Sequence, residues 1–154
     1  MAKKKQRRTK SSATGSNKEP SLRQVPRHEQ QYALVGDTLL DVENAFRLLR
    51  TMPRRTKPID VTAWARLYGM DGNPHSPVQL GPAFDRAHAM STNLARPLIL
   101  ATFASGPIEA EDTLLIIDGT HRLYRAFVEG RDQLPALVLT AAETSAITMA
   151  RPTR

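Results

Sequence analysis

The spacing of the apolar positions changes from strand-like to helical at residues 118–119. Before this point, residues 114–117 are four consecutive aliphatic residues, which is typical of a buried strand. After it, the apolar residues recur at helical spacing, which predicts a helix that buries Leu123, Ala126 and Phe127. Gly130 is placed to end this helix as a C-terminal cap, and a further strand is predicted over residues 134–139.

The junction between the predicted strand and helix has the features of an anion-binding turn. The first amides of a helix have no partner within it and point outward with the positive end of the helix dipole, and Gly119 has no side chain to block a ligand. Thr120 offers a hydroxyl donor, and His121 and Arg122 follow on the first turn. Arg125 lies one turn further on, so His121, Arg122 and Arg125 are predicted to share an exposed face. The alternative is a tight structural corner with an arginine face.

The segment before residue 70 is predicted to contain one strand and two helices. Residues 32–35 form the strand candidate. A helix follows, capped by Asp37 or Thr38 and ended by Pro53, with an apolar stripe of Leu39, Val42, Phe46 and Leu49. A short helix is predicted over residues 62–68, with Asp60 as its N-cap and Gly69 at its end.

Between residues 82 and 117 the pattern predicts a helix and a hairpin. Pro82 fits the first position of a helix that runs to about residue 92. Residues 98–103 form a strand candidate, and the loop after them leads into the strand at residues 114–117, which indicates an antiparallel hairpin. The whole pattern predicts an α+β fold in which a small mixed sheet is flanked by helices.

Composition narrows the class of protein. A chain of 154 residues with 40% hydrophobic content is long enough for one domain with a core. The absence of cysteine excludes disulfides, a catalytic thiolate and a cysteine zinc site. No apolar run is long enough to span a bilayer, and the N-terminus lacks the apolar segment of a signal peptide, so a soluble cytoplasmic protein without a membrane partner is expected.

The positive charge is concentrated at the N-terminus. The net charge of the chain is +7, yet residues 1–27 contain nine basic residues and one acidic residue, so the remainder is close to neutral. This segment has almost no large apolar residues and is predicted to be a disordered tail before a domain at residues 28–154. Its densest basic run attracts nucleic-acid backbone without reading sequence, through Lys3, Lys4, Lys5, Arg7, Arg8 and Lys10. A solubilising tail without a dedicated partner is the alternative.

Three further groups of residues are candidates for function. A second basic cluster either extends the nucleic-acid path or is a solvated surface: Arg47, Arg50, Arg54, Arg55 and Lys57. Asp85 and His88 are spaced to pair as an oriented base, although surface or capping roles are commoner for such residues. Asp118 could hold a divalent ion, orient His121 or cap the helix, and the sequence leaves these roles open.

The turn resembles the signature of a known family. Asp118-Gly119-Thr120-His121-Arg122, followed by Ala126, Gly130 and the strand at residues 134–139, is similar to the Gly-x-x-Arg-x-x-x-Ala core of the ParB/sulfiredoxin-like domains. The similarity covers about residues 98–140. It implies that the domain is ParB/sulfiredoxin-like, and that Gly119, Thr120, His121 and Arg122 contact nucleotide phosphates. Apart from the resemblance, Arg125 together with Arg122 could supply forked donors at the edge of the helix dipole.

The family's activities define what the resemblance implies about function. They include CTP-dependent DNA clamps, free-serine kinases, DNases and sulfiredoxins, and the last are excluded because Thr120 stands where their cysteine is required. The implied ligand is a nucleoside triphosphate, CTP or ATP, with Mg²⁺, in a bacterial cytoplasm near the nucleoid. An NTP hydrolase, phosphotransferase or nuclease with Asp118 and His121 as catalytic residues is expected. A non-catalytic DNA-binding or regulatory module with a basic arm is the alternative, and too few residues follow the last predicted strand for the operator-binding domains of DNA-segregation ParB proteins.

Overall fold

The computed structural model describes residues 31–104 and 111–150, and within these ranges the protein is a mixed α+β fold. The basic tail predicted at residues 1–27 lies outside the described residues. The elements in chain order are β1 Tyr32–Val35, β2 Thr38–Asp41, α1 Val42–Thr51, β3 Lys57–Asp60, α2 Val61–Leu67, α3 Arg86–Met90, β4 Leu98–Phe103, β5 Thr113–Asp118, α4 Thr120–Val128, β6 Gln133–Leu139, α5 Ala141–Ala146 and β7 Thr148–Met149.

The larger sheet has four strands in the order β3-β6-β4-β5. Strands β4 and β6 are parallel, and the other two pairs are antiparallel, so the sheet is mixed as predicted. The first four residues of β4 are all buried because they face two cores in alternation. Leu98 and Leu100 pack with residues of α2 and α4, whereas Ile99 and Ala101 pack with residues of α1. Helices therefore flank both faces of this sheet.

The smaller sheet corrects the prediction for the chain after residue 36. Residues 38–41 form β2, which pairs with β1 from Val35↔Thr38 to Tyr32↔Asp41, and β7 adds a third strand. The helix begins three or four residues later than predicted, and its N-cap is Asp41, whose carboxylate accepts from Asn44 N at 2.9 Å. A Gly-Asp pair between two short apolar runs is a hairpin signal, and here it forms the turn of a hairpin where the start of a helix was predicted.

Helix α3 is shorter than predicted. Pro82 precedes it instead of occupying its first turn, and the helix begins at Arg86 after Asp85, whose carboxylate accepts from His88 N at 2.9 Å. Asp85 is therefore a helix cap, and its carboxylate bonds to the backbone of His88. Helix α3 packs against α4, beside the predicted turn.

The elements around the turn match their predictions closely. Strand β4 and helix α4 occupy the predicted residues, the β4–β5 hairpin is antiparallel, and Asp60 caps α2 by accepting from Ala63 N at 2.7 Å. Gly130 ends α4 with a φ of +68°, and its amide donates to Phe127 O at 3.1 Å. Helix α5 and strand β7 were not predicted. In the described ranges, no helix has both the length and the apolar character that crossing a bilayer requires.

An ion pair ties the segment after α1 to the C-terminal helix. Arg54 donates to both carboxylate oxygens of Glu143, at 2.7 and 2.6 Å, and to Val138 O at 3.1 Å. Glu143 also accepts from Thr140 N in the capping box of α5. The hydrogen bond from Arg54 is the main reason that the pKa of Glu143 lies at about 2, below its usual 4.5. Arg54 therefore has a structural role, which removes it from the predicted basic surface cluster.

Glu143→Gln is expected to destabilise the protein by about 2 kcal/mol at neutral pH, after allowance for partial solvent exposure. Gln keeps the cap bond to Thr140 but loses the charge. Because the folded pKa is lowered, this contribution is present above pH 4.5 and is lost as the pH falls towards about 2. Urea unfolding at several pH values measures it, with Glu129→Gln, which breaks a more exposed ion pair, as the control. Equal losses in both variants at neutral pH would contradict the assignment.

Candidate functional site

The turn between β5 and α4 requires glycine. Gly119 is the N-cap residue of α4, with φ +111° and ψ +11°, a conformation that residues with a side chain rarely adopt. A Cβ atom at this position would lie 2.9 Å from Leu98 Cγ and 2.9 Å from Arg122 Nη2. Leu98 is fully buried and cannot move away. Backbone conformation and packing therefore both select glycine here.

The N-terminus of α4 retains unpaired donors. The first helical bond runs from Leu123 N to Gly119 O at 3.0 Å, and Gly119 supplies no side-chain cap. The amides of Thr120, His121 and Arg122 donate to no acceptor within residues 31–104 and 111–150. Free amides at the positive end of the helix dipole are the donors that bind anions.

Arg122 is buried, which corrects the prediction that it lies on an exposed face. Its Nη2 donates to Asp118 Oδ2 at 2.6 Å and to Pro97 O at 3.1 Å, and its side chain is 9% exposed. Its Nε is buried and has no partner in the described part of the chain. Asp118 does not cap the helix, because its carboxylate is engaged with Arg122. The pair holds the end of β5 and the start of α4 against the entry to β4.

Arg125 does not join the turn. Its Nε donates to Glu129 Oε1 at 2.9 Å, and its Nη1 donates to Thr92 O. It lines neither of the two cavities beside Gly119. The prediction that His121, Arg122 and Arg125 share one face is therefore wrong. The Arg122 side chain is buried, and Arg125 hydrogen-bonds to the segment after α3.

The larger cavity beside the turn has a volume of about 840 Å³. Gly119, His121 and Arg122 form one wall, and α1 and the segment from α3 to β4 form the others. The cavity is also lined by two arginines, Arg50 from α1 and Arg96 from the segment before β4. Neither of them was assigned to the turn from the sequence. Both are exposed, and neither pairs with another described residue. The only sequence signal was their positive charge, because tertiary packing alone brings them to residue 119.

A smaller cavity of about 740 Å³ lies on the other side of the turn. Residues 32–36, 77–81 and 115–121 contribute to it, together with Tyr68 and Phe84. Tyr68 contacts the adjacent strand, where its hydroxyl accepts from Ile116 N at 2.8 Å, and burial raises its pKa. Gly119 and His121 line both cavities, so the turn separates two openings.

His121 is held by aromatic contacts. Its ring stacks on Phe84, with centroids 4.5 Å apart and an angle of 9° between the planes, and it meets His88 edge to face at 5.0 Å. Burial, followed by the nearby His88, lowers the pKa of His121. The lowered pKa favours the neutral imidazole, which can accept a proton.

The other predicted site residues are dispersed or lie outside the structure. Thr120 lines the smaller cavity, and Arg47 donates to Asn44 Oδ1 on the surface of α1. In the described ranges, no group of three or more His, Cys, Asp or Glu side chains could hold a metal ion. The predicted nucleic-acid contacts at residues 3–10 lie outside the described residues. No protein-family model matches this chain, and no curated protein or solved structure does so either.

Proposed function

We propose that this chain is a ParB/sulfiredoxin-like module that binds a nucleoside triphosphate, CTP or ATP with Mg²⁺, by its phosphates in the larger cavity. One observation carries this proposal. Gly119, His121 and Arg122 at the start of α4 line a single cavity of about 840 Å³ together with Arg50 and Arg96, whose guanidinium groups pair with no other described residue. Fixed donors and forked cations are the groups that recognise phosphate, and the volume suits a small-molecule ligand. The Mg²⁺ accompanies the phosphates, and no residue is assigned to it.

Within this proposal, Asp118 and Arg122 are positioning residues. Their ion pair at 2.6 Å fixes the turn whose amides meet the ligand. Because the Asp118 carboxylate is engaged, it is not assigned as the acid that activates a nucleophile, and binding is favoured over hydrolysis, phosphoryl transfer or nuclease activity. His121 stays available to donate to a phosphate oxygen or to move a proton. Nucleotide turnover and plasmid nicking with Mg²⁺ test this choice, since either activity would favour the enzyme.

Alanine substitutions of Arg50 and Arg96 test the binding site. Each is expected to weaken nucleotide affinity about tenfold, the usual effect of removing one charge-assisted hydrogen bond. Calorimetry of the full chain with CTP, ATP and ADP measures it. Arg66→Ala, which removes an exposed arginine of α2 that lines neither cavity, is the matched control. Unchanged affinity in both cavity variants would refute the site.

The same proposal places the module on nucleic acid through the N-terminal tail. Replacing Lys3, Lys4, Lys5, Arg7, Arg8 and Lys10 by Gln is expected to weaken binding to DNA of any sequence. The slope of log affinity against log salt should become shallower by about 0.9 for each phosphate that the tail no longer neutralises. Nucleotide affinity should not change, because the proposed phosphate contacts come from the described residues that line the cavity. An unaltered salt slope would rule out the tail as the segment that binds DNA.

A further inference from the structure

The larger cavity contains two histidines from different helices. His88 comes from α3 and His121 from α4, and both line the cavity together with Arg50 and Arg96. Their rings meet edge to face with centroids 5.0 Å apart. The stack of Phe84 on His121 fixes this geometry from the other side. Two imidazoles are thus held close together at the place where an anion would enter.

Charged groups from several elements surround His88 and His121. Asp85 at the start of α3 and Asp118 at the end of β5 favour a protonated His121, whereas burial, His88 and Arg122 oppose it. The opposing influences prevail, so the pKa of His121 lies below its ordinary value. The remaining charged groups nearby are Arg86, which lies over Tyr124 beside Phe84, and the cavity residues Glu43, Arg50 and Arg96.

An anion in the cavity would change this balance. A negative charge near an imidazole favours its protonated form, so binding of the anion and binding of the proton each strengthen the other. The protonated ring can donate through both nitrogens, whereas the neutral ring donates through one. Arg50 and Arg96 are charged at every relevant pH and contribute attraction without pH dependence. For a ligand whose own charge is constant, any pH dependence near neutrality must therefore come from the histidines.

We propose that the His88–His121 pair takes up a proton when a dianionic group enters the larger cavity, so that the cavity binds phosphate-like dianions more tightly as the pH falls. The inference rests on the proposed function, which makes this cavity the anion site. It adds His88 to the binding residues and gives the site a dependence on pH that the arginines alone would not produce. The class of ligand that fits is a terminal phosphate or another tetrahedral dianion.

Sulfate is the suitable probe because it stays dianionic across the range in which histidine titrates. The ring proton signals of His88, His121 and His75 in the full chain are followed by NMR from about pH 5 to about pH 8, in sulfate and in chloride at equal ionic strength. Sulfate is expected to raise the titration midpoint of His121 by about one pH unit and to leave that of His75 unchanged, since His75 lines neither cavity. Sulfate affinity should rise about fivefold between about pH 7.5 and pH 5.5.

His88→Gln and His121→Gln should each flatten this pH dependence, and His75→Gln should not. If sulfate binds equally well at both pH values while the His121 midpoint stays fixed, the inference fails and the proposed anion site stands. If neither sulfate nor a nucleoside triphosphate binds at either pH, both fail. An equal shift in His75 would show a general salt effect and would also overturn the inference.

Discussion

Gly119→Ala is expected to destabilise the protein by about 3 kcal/mol, because the substitution adds two costs. A φ of +111° strains any residue with a Cβ atom by about 1–2 kcal/mol. The new methyl group would also lie 2.9 Å from the Cγ atom of Leu98, which is fully buried in the core, and overpacking of this kind costs a similar amount. Urea unfolding of the full chain measures the loss.

Gly130→Ala is the matched control for Gly119→Ala. Gly130 also has a positive φ, +68°, but a Cβ atom there would meet nothing within 4 Å. Gly130→Ala should therefore lower the free energy of unfolding only by the backbone strain, about 1 kcal/mol. The difference between the two variants isolates the crowding at the turn. Equal losses would mean that Leu98 and Arg122 do not enclose Gly119 as described.

The second large effect is expected at the buried ion pair. Arg122→Met should destabilise the protein by about 3 kcal/mol, because it leaves the carboxylate of Asp118, which is 19% exposed, without its partner. Asp118→Asn should also destabilise it. The double variant should lose less than the sum of the single losses, by about 2 kcal/mol, because two residues in contact are coupled. A double-mutant cycle by urea unfolding measures this coupling energy.

Arg131→Met is the control for the ion pair. Arg131 is 60% exposed and lies 3.6 Å from Glu129, so its removal should have no measurable effect on stability. If Arg122→Met keeps full stability and loses only nucleotide binding, Arg122 is a direct phosphate ligand and not a positioning residue. Additive losses in the cycle would likewise contradict the structural role.

The fold near the turn could be predicted from the sequence because local rules determine it. Four aliphatic residues, a glycine and a helical repeat define β5, the turn and α4, and Gly130 defines the helix end. The region after residue 36 could not be assigned by the same rules, since a short apolar run suits both a strand and a helix. Only the Gly36-Asp37 turn separated the two interpretations, and pairing with β1 decides between them.

The candidate site was less predictable than the fold. Helical spacing placed Arg122 on a face with His121, but it could not show that the side chain bends back to Asp118 and into the protein. The spacing of Asp118 and Arg122, four residues apart, was the available signal for that pair. Arg50, Arg96 and His88 reach the turn only because α1 and α3 pack around it. Contacts between residues so distant in sequence depend on tertiary packing, which local sequence patterns do not reveal.

The central claim is that an anion binds against the first amides of α4. Its most direct test is a titration of the isotope-labelled full chain with CTP or ATP and Mg²⁺, in which the amide signals of Thr120, His121 and Arg122 are followed by NMR. We expect these three amides to shift in a saturable way and the shifts to disappear in the Arg50→Ala/Arg96→Ala double variant. Amides that stay unmoved at saturating nucleotide, in a chain that remains folded, would contradict the claim.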